Sequence, residues 1–175
     1  SRGMSGEIGH ATMDPASEAV CECGNRGCLE ALSSGHAIAT AARQALAAGE
    51  PSALACPGMA AAEISAERVA QAAAQGDALA QRIFRQAAER IGLAIACMMS
   101  VFNPEAVFIG GGVARAGDLL FDPIRRVVEQ RAIDRVRHGV AILPASHGSR
   151  SAAVGALALI LNEILHLNIP ACREG

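Results

Sequence analysis

The most regular apolar pattern in the chain runs from Asp77 to about Ser100, where apolar residues recur at steps of three and four. That spacing places them on one face of a helix. Asp77 precedes the first of them and is a residue type that caps helix N-termini. The pattern therefore predicts one long helix with a buried face, whose apolar positions are Leu79, Ile83, Phe84, Ala87, Ala88, Ile91, Ile95 and Met98.

Shorter helices are predicted on both sides of this long one. The segments are about Glu30 to Ala48, which the Ser33-Ser34-Gly35 stretch can interrupt, a short helix from Ser65 to near Gly76, about Asp118 to Arg131, and about Ser151 to His166. Gly49 followed by Pro51 is a usual stop signal for the first of them. Residues 1 to 30 are rich in loop-forming residues, and residues 50 to 63 are expected to form a flexible connection.

Two short apolar runs predict strands, Ala106 to Ile109 and Val140 to Leu143. The first follows a turn at Asn103-Pro104 and leads directly into three glycines, which is typical of a buried strand. Strands that alternate with helices in this way predict an α/β fold.

The composition limits the number of domains, the make-up of the core and the classes of partner. The 175 residues suit one domain, and because the chain has four Phe and neither Tyr nor Trp, its core must use Ala, Leu, Ile and Val. The net charge is −2 and all fifteen basic residues are Arg, scattered except for a modest excess from Arg125 to Arg137, which argues against a nucleic-acid surface within this segment. No apolar stretch approaches 18 residues and no secretory pattern opens the chain, so we expect a soluble, cytoplasmic protein without a membrane partner.

The string GEIGH, followed after ten residues by CECGNRGCLE, indicates a metal-binding site. Zinc prefers four soft or borderline ligands in a tetrahedron, and Cys21, Cys23 and Cys28 with His10 supply that set. Four protein ligands leave no open position, so the predicted zinc is structural. The alternative is three reduced surface thiols in a loop, which is disfavoured because exposed free thiols are a liability.

The remaining cysteines carry no metal-ligand spacing. Cys97 lies in an apolar run and is expected to be a small core residue, whereas Cys56 and Cys172 are expected in loops. Disulfides are not expected, because this cysteine usage does not resemble a secreted scaffold.

Two further features are candidate binding groups. Glu7 and Glu30 flank the zinc cluster, and carboxylates on a metal-braced loop are fixed acceptors for ligand hydroxyls, although solvated surface positions are the alternative for each. The glycines at Gly110, Gly111 and Gly112 would let the backbone approach a nucleotide, although a tight strand-to-helix turn also uses Gly.

The strings GEIGH, CECGNRGCLE, NPEAVFIGGGV and, more loosely, SAAVGAL resemble the ROK family of bacterial sugar kinases and sugar-responsive transcriptional repressors. The likeness extends from Gly6 to about Asn162. It implies the actin-like, ribonuclease-H-like ATPase fold, with residues 1–175 as its C-terminal half or lobe and a zinc loop at about 7–30.

The resemblance also implies roles for the candidate residues. His10, Cys21, Cys23 and Cys28 would bind Zn²⁺; Glu7, His10 and Glu30 would contact sugar hydroxyls; Gly110, Gly111 and Gly112 would border ATP with its Mg²⁺. No catalytic residue is assigned within this chain. Family members usually form dimers, so a homodimer is expected.

The departures from the family are equally informative. The phosphate-binding D-x-G-x-T loop, the G-T-G segment and the Asn-Asp pair that supplies the general base of ROK kinases are not in this chain, so it should not catalyse phosphoryl transfer alone. We therefore expect a fragment of a longer protein, whose N-terminal lobe covers the apolar last helix. The alternative is a truncated relative that binds without catalysis.

Two functions from different classes remain open at this point. One is an ATP-dependent, glucokinase-like hexose kinase that binds sugar beside a structural zinc. The other is the sugar-sensing effector domain of a ROK repressor, without catalysis. Retention of the full glycine triplet favours the kinase slightly. For the 175-residue chain alone, the simplest function is a sugar-binding or assembly module with no enzyme activity.

Overall fold

A computed structural model describes residues 6–56, 60–137 and 139–165. Its helices and strands, in chain order, are α1 Leu29–Ser33, α2 Gly35–Ala47, α3 Ala66–Ala74, α4 Ala78–Phe102, β1 Ala106–Ile109, α5 Asp118–Arg131, α6 Asp134–Arg137, β2 Ala141–Pro144 and α7 Ser151–Leu165. Single turns of 3-10 helix at Ile8–His10, Ala61–Glu63, Val113–Ala116 and Gly148–Arg150 were not anticipated from the sequence. The expectation of a helix-rich α/β chain is confirmed.

Asp77 caps the long helix α4 as predicted. One of its carboxylate oxygens accepts a hydrogen bond from the backbone N–H of Ala80 at 2.8 Å, and the other accepts from the N–H of Ala53 and the hydroxyl of Ser52. Burial acts to raise the pKa of this carboxyl, but the hydrogen bonds outweigh burial and hold its pKa below the usual value. Asp77 therefore starts the helix and fastens the preceding loop to it.

Helix α4 is shared by two apolar clusters. Its N-terminal half packs with α2 and α3, where Ile38, Val69 and Phe84 are almost fully buried. Its C-terminal half packs with α5 and the sheet. At the second contact, a Cβ on Gly92 would lie 2.8 Å from Cβ of Val127, so the two helices cross at a distance that only glycine permits.

The predicted buried face of α4 is correct in its first half and shifted in its second. Cys97 is exposed, so its assignment to the core was wrong. Ala96 and Met99 are buried instead, while Ile91 and Met98 are only half-buried. The physical reason is that α5 approaches along Gly92, a residue that apolar patterning does not count.

The sheet consists of β1 and β2 in parallel, with Ala106 opposite Ala141 and Ile109 opposite Pro144. Both predicted strands are confirmed, the second one residue later than expected. The prediction that β1 is buried was wrong, because Phe108 is 65% exposed and the other three residues are half-buried. In the described part of the chain, only β2 pairs with this strand.

The first predicted helix is interrupted, as the Ser-Ser-Gly stretch allowed. Ser34 is extended and its hydroxyl accepts from the backbone N–H of Ala37 at 3.2 Å, so α1 ends and α2 begins there. The residue after this corner, Gly35, packs closely: a Cβ on it would lie 3.5 Å from Cβ of Ala66 and 3.6 Å from Cγ2 of Val113.

Helix α7 has apolar side chains at the surface, as its sequence predicted. The exposed apolar residues of α7 are Val154, Leu157, Leu159, Ile160, Leu161, Ile164 and Leu165. No helix within the described residues combines the length and the hydropathy that crossing a bilayer requires. Cys56 is exposed in a loop as expected, whereas Cys172 and His166 lie outside the described residues.

Candidate functional site

Backbone hydrogen bonds shape residues 11–29 into a compact loop. Antiparallel bridges join Thr12 to Cys28 and Val20 to Arg26. Between them, the N–H of Cys21 donates to the carbonyl of Asn25 at 2.8 Å. These hydrogen bonds bring Cys21, Cys23 and Cys28, which would be spread along an extended chain, to one end of the loop.

The candidate metal ligands meet there. Ligand atoms of His10, Cys21 and Cys23 all lie within 4.8 Å of one another, with Sγ of Cys21 3.4 Å from Nδ1 of His10. Sγ of Cys28 lies 3.8 Å from Sγ of Cys23. With Zn–S of about 2.3 Å and Zn–N of about 2.0–2.1 Å, a tetrahedral site has S···S edges of about 3.8 Å and S···N edges of about 3.6 Å. The Cys21–His10 and Cys23–Cys28 separations are close to these edges, and His10, Cys21 and Cys23 form a group that could hold a metal ion, whereas Cys28 contacts Cys23 but lies outside that group. The sulfurs of Cys23 and Cys28 are too far apart for a disulfide.

The thiols respond differently to their surroundings. Burial raises the pKa of the Cys28 thiol to about 12, and the neighbouring Cys23 and Cys21 thiols add to the shift. A hydrogen bond from the backbone of Asn25 lowers the pKa of Cys23. A buried thiol such as Cys28 ionises at neutral pH when a cation compensates its charge, which is the chemistry that a bound metal supplies.

Glycine is required within this loop for two different reasons. Gly24 has φ of +86°, but a Cβ added to it would meet nothing within 4 Å, so only its backbone angle favours glycine. Gly27 has φ of +66°, and a Cβ there would lie 1.9 Å from the carbonyl oxygen of Asp14. Gly27 therefore sets how closely the cysteine loop packs on the preceding segment.

His10 joins the candidate metal ligands to the two candidate carboxylates. Its Nδ1, which faces Cys21, lies 3.9 Å from Oε2 of Glu30, and its Nε2 lies 3.8 Å from Oε2 of Glu7. A Cβ on Gly9 would lie 3.3 Å from Oε2 of Glu30, so the single 3-10 turn packs directly against that carboxylate. The three side chains are partly exposed and form one polar edge with acceptors on two sides of an imidazole.

Gly112, the last residue of the glycine triplet, lines a cavity of about 200 Å³. Gly111 has φ of +87° and turns the chain, while Gly112 lines the cavity. The remaining lining comes from helix α3, helix α4 and the 3-10 turn after the triplet: Ala66, Glu67, Ala70, Gln71, Phe84, Val113, Arg115 and Ala116. Sequence reasoning missed Glu67 and Arg115, since nothing in their local sequence links them to the triplet.

The polar edge and the cavity are connected through α1 and the start of α2. Glu30 lies in α1, and five residues later Gly35 packs against Ala66 and Val113, which both line the cavity. The two candidate sites are therefore neighbours in the fold, although they are far apart in sequence.

The chain belongs to the ROK family, whose model it matches over residues 1–163. It is 38% identical over 153 residues to a glucokinase from Halalkalibacterium halodurans, covering 87% of this chain and 46% of that enzyme. The chain thus spans about half the length of this curated relative.

Solved structures include both functional classes of the family. A ROK glucokinase from Streptomyces griseus, in complex with glucose and AMPPNP, superposes with a TM-score of 0.75 at 34% identity over 87% of this chain and 50% of that one. A ROK transcriptional regulator described as a homologue of the Escherichia coli MLC protein gives 0.68 at 37% identity over 80% of this chain and 34% of that one. The chain therefore has the fold of ROK sugar kinases and regulators over the matched part, in agreement with the expected actin-like architecture.

Proposed function

We propose that this chain is the C-terminal lobe of an ATP-dependent hexose kinase of the glucokinase type, with zinc held by His10, Cys21, Cys23 and Cys28. The observation that carries the proposal is the link, through α1 and Gly35, between the polar edge beside the candidate metal ligands and the cavity that Gly112 lines. A sugar kinase needs its acceptor and its nucleotide in neighbouring sites, because phosphoryl transfer depends on positioning.

The sugar would bind at the edge formed by Glu7, His10 and Glu30. Ionised carboxylates accept hydrogen bonds from hydroxyl groups, and the two oxygens 3.8–3.9 Å from the imidazole can serve different hydroxyls of one ring. Zinc on Nδ1 of His10 would fix the ring and leave Nε2 for the sugar. The metal would act as a brace, since four protein ligands leave it no position for substrate.

ATP with Mg²⁺ would lie along Gly110, Gly111 and Gly112, with its phosphates toward the sugar. This chain would orient the sugar and one side of the nucleotide. The general base that takes the proton of the hexose 6-hydroxyl, and the loops that hold the phosphates, would come from the rest of the protein. The exposed apolar side chains of α7 and Phe108 of β1 support a second lobe that covers them.

The similarity to a transcriptional regulator supports a second candidate function. In that case the same polar edge would bind a sugar as an effector, and no phosphoryl group would move. Sequence identity does not separate the two classes, because the regulator and the glucokinase of known structure are 37% and 34% identical to this chain. A homodimer is proposed for either function.

The test is a coupled assay of the intact protein with ATP and a panel of hexoses. ADP release that depends on one hexose is the expected result; sugar binding by calorimetry without ADP release would refute the kinase and favour the regulator. Glu30→Gln should raise the sugar dissociation constant by about tenfold or more, which is typical for loss of a charged hydrogen-bond acceptor.

Glu22→Gln is the matched control, because Glu22 is an exposed glutamate of the same cysteine loop that lies between two ligands and does not contribute to the polar edge. Equal effects of the two substitutions would contradict the assignment of the edge as the sugar site. Zinc content measured on each variant separates a loss of sugar contact from a loss of metal.

A further inference from the structure

The cavity beside Gly112 has an apolar interior and a charged mouth. Ala66, Ala70, Val113 and Ala116 supply its walls, and Phe84, which is 1% exposed, supplies part of its floor. At about 200 Å³ it is smaller than the roughly 300 Å³ at which pockets for drug-sized ligands begin. It has room for a single ring system, and a larger ligand would extend past the mouth.

The mouth carries an oriented carboxylate. Oε1 of Glu67 lies 3.3 Å from Nη2 of Arg115, and a Cβ on Gly112 would lie 3.5 Å from the same oxygen. Glu67 is in the first turn of α3, where its own backbone N–H, the side chain of Ser65 and the Arg115 guanidinium hold the pKa of its carboxyl below the usual value. It is therefore an ionised acceptor at neutral pH, held in place from two sides.

A contribution to folding stability does not explain the ion pair between Glu67 and Arg115. Both side chains of the ion pair are more than half exposed, and exposed pairs contribute little to folding. Its geometric effect is larger, because Arg115 holds the carboxylate against the last glycine of the triplet. A ligand that contacts Gly112 inside the cavity would therefore lie close to this oxygen.

We propose that Glu67 accepts a hydrogen bond from a ribose hydroxyl of the bound nucleotide, with the base in the apolar cavity and Arg115 positioning the carboxylate. The inference rests on the proposed nucleotide site and adds a residue that selects for the sugar of that nucleotide. An ionised carboxylate accepts hydrogen bonds and cannot donate them, and the hydroxyl groups of a ribose are donors to such an acceptor. The half-exposed position at the mouth suits the ribose, since the base occupies the drier interior and the phosphates extend toward solvent.

The experiment measures binding of ADP, 2′-deoxy-ADP and 3′-deoxy-ADP with Mg²⁺ to the intact protein by calorimetry. The wild type should bind at least one deoxy analogue about tenfold or more weakly, the cost of losing a hydrogen bond to a charged group. Glu67→Ala should bind ADP as weakly as the wild type binds that analogue, so it should no longer prefer ADP to the analogue. Glu67→Gln keeps the size of the side chain and an acceptor oxygen, so it should retain part of the preference for ADP.

Glu63→Ala is the control variant, because Glu63 lies just before α3 and pairs with Arg68 but does not line the cavity. It should bind all three nucleotides as the wild type does. Equal affinity of the wild type for ADP and both deoxy analogues would overturn the proposal, as would absence of ADP binding or unchanged discrimination in both Glu67 variants.

These outcomes are separable from the kinase proposal. Ribose-selective ADP binding without phosphoryl transfer would refute the kinase and leave the role of Glu67 intact. Phosphoryl transfer with equal KM for ATP and both deoxy-ATP analogues would refute the role of Glu67 and leave the kinase intact.

Discussion

Two glycines of the cysteine loop form a matched pair that tests how the loop would hold the proposed zinc. Gly24 and Gly27 both have positive φ, at +86° and +66°, so replacement by alanine strains the backbone at either position. Only Gly27 is also confined, by the carbonyl oxygen of Asp14. The pair therefore separates the cost of a backbone angle from the cost of lost packing.

The magnitudes follow from the structure. An alanine in the left-handed region costs roughly 1–2 kcal/mol at either site. At Gly27 the added Cβ, 1.9 Å from the Asp14 oxygen, must move by about 1.5 Å to reach the ordinary contact of 3.4 Å. That shift breaks the hydrogen bonds that the backbone N–H groups of Met13 and Asp14 donate to the Gly27 carbonyl, each about 1 kcal/mol net.

Gly27→Ala should therefore cost about 2 kcal/mol more than Gly24→Ala. Because metal binding and folding of such a loop are coupled, most of this difference should appear as zinc affinity weakened by about 30-fold relative to Gly24→Ala. Competition with a chromogenic zinc chelator measures it, with circular dichroism as the check that both variants stay folded. Equal zinc retention by the two variants would refute the reasoning.

Three further substitutions test other parts of the structure. Cys23→Ser should reduce zinc content and hexose affinity together. An unchanged hexose affinity in calorimetry would show that sugar binding does not depend on the metal. Asp77→Ala should lower the free energy of unfolding by about 1–2 kcal/mol at pH 7 in urea titrations. Folding lowers the pKa of Asp77, so the stabilisation by its carboxylate is complete above the unfolded-state pKa of about 3.9 and is lost as the pH falls through the folded-state pKa. The free energies of unfolding of wild type and variant should therefore converge in acid. A difference between them that does not change with pH would contradict this. Gly92→Ala should destabilise despite a helix-propensity gain of about 1 kcal/mol, since overpacking costs about 1–3 kcal/mol, and adding Val127→Ala should restore part of the loss; a stabilised single variant would show that α5 can move away.

Local signals predicted most helices and the cysteine cluster. Asp77 caps α4 and Ser65 begins the α3 segment where the sequence predicted, and the ligand spacing anticipated that ligand atoms of His10, Cys21 and Cys23 lie within 4.8 Å of one another. Such features depend on residues that are near each other in sequence. The roles of Glu7, Glu30 and the glycine triplet stay predictions until the assays above are done.

Features that depend on distant partners were not predicted. Cys97 was assigned to the core because its neighbours are apolar, but the approach of α5 decides which face of α4 is buried, and that approach is set at Gly92. Phe108 is exposed for a related reason, since burial of a strand depends on what pairs and packs around it. Glu67 lies 45 positions before Gly112, and only the tertiary fold brings the two together.

The unpaired apolar surface of α7 and β1 has a consequence for how the intact protein melts. Whatever covers Leu159, Ile164 and Phe108, which are 73%, 68% and 65% exposed here, would share one interior with this segment. Domains that share an interior lose it together, so heating should produce one cooperative transition instead of two separate ones. A calorimetric enthalpy that matches the van't Hoff enthalpy for the whole chain would be the signature of that shared interior, and the segment would then be a unit of structure without being a unit of folding.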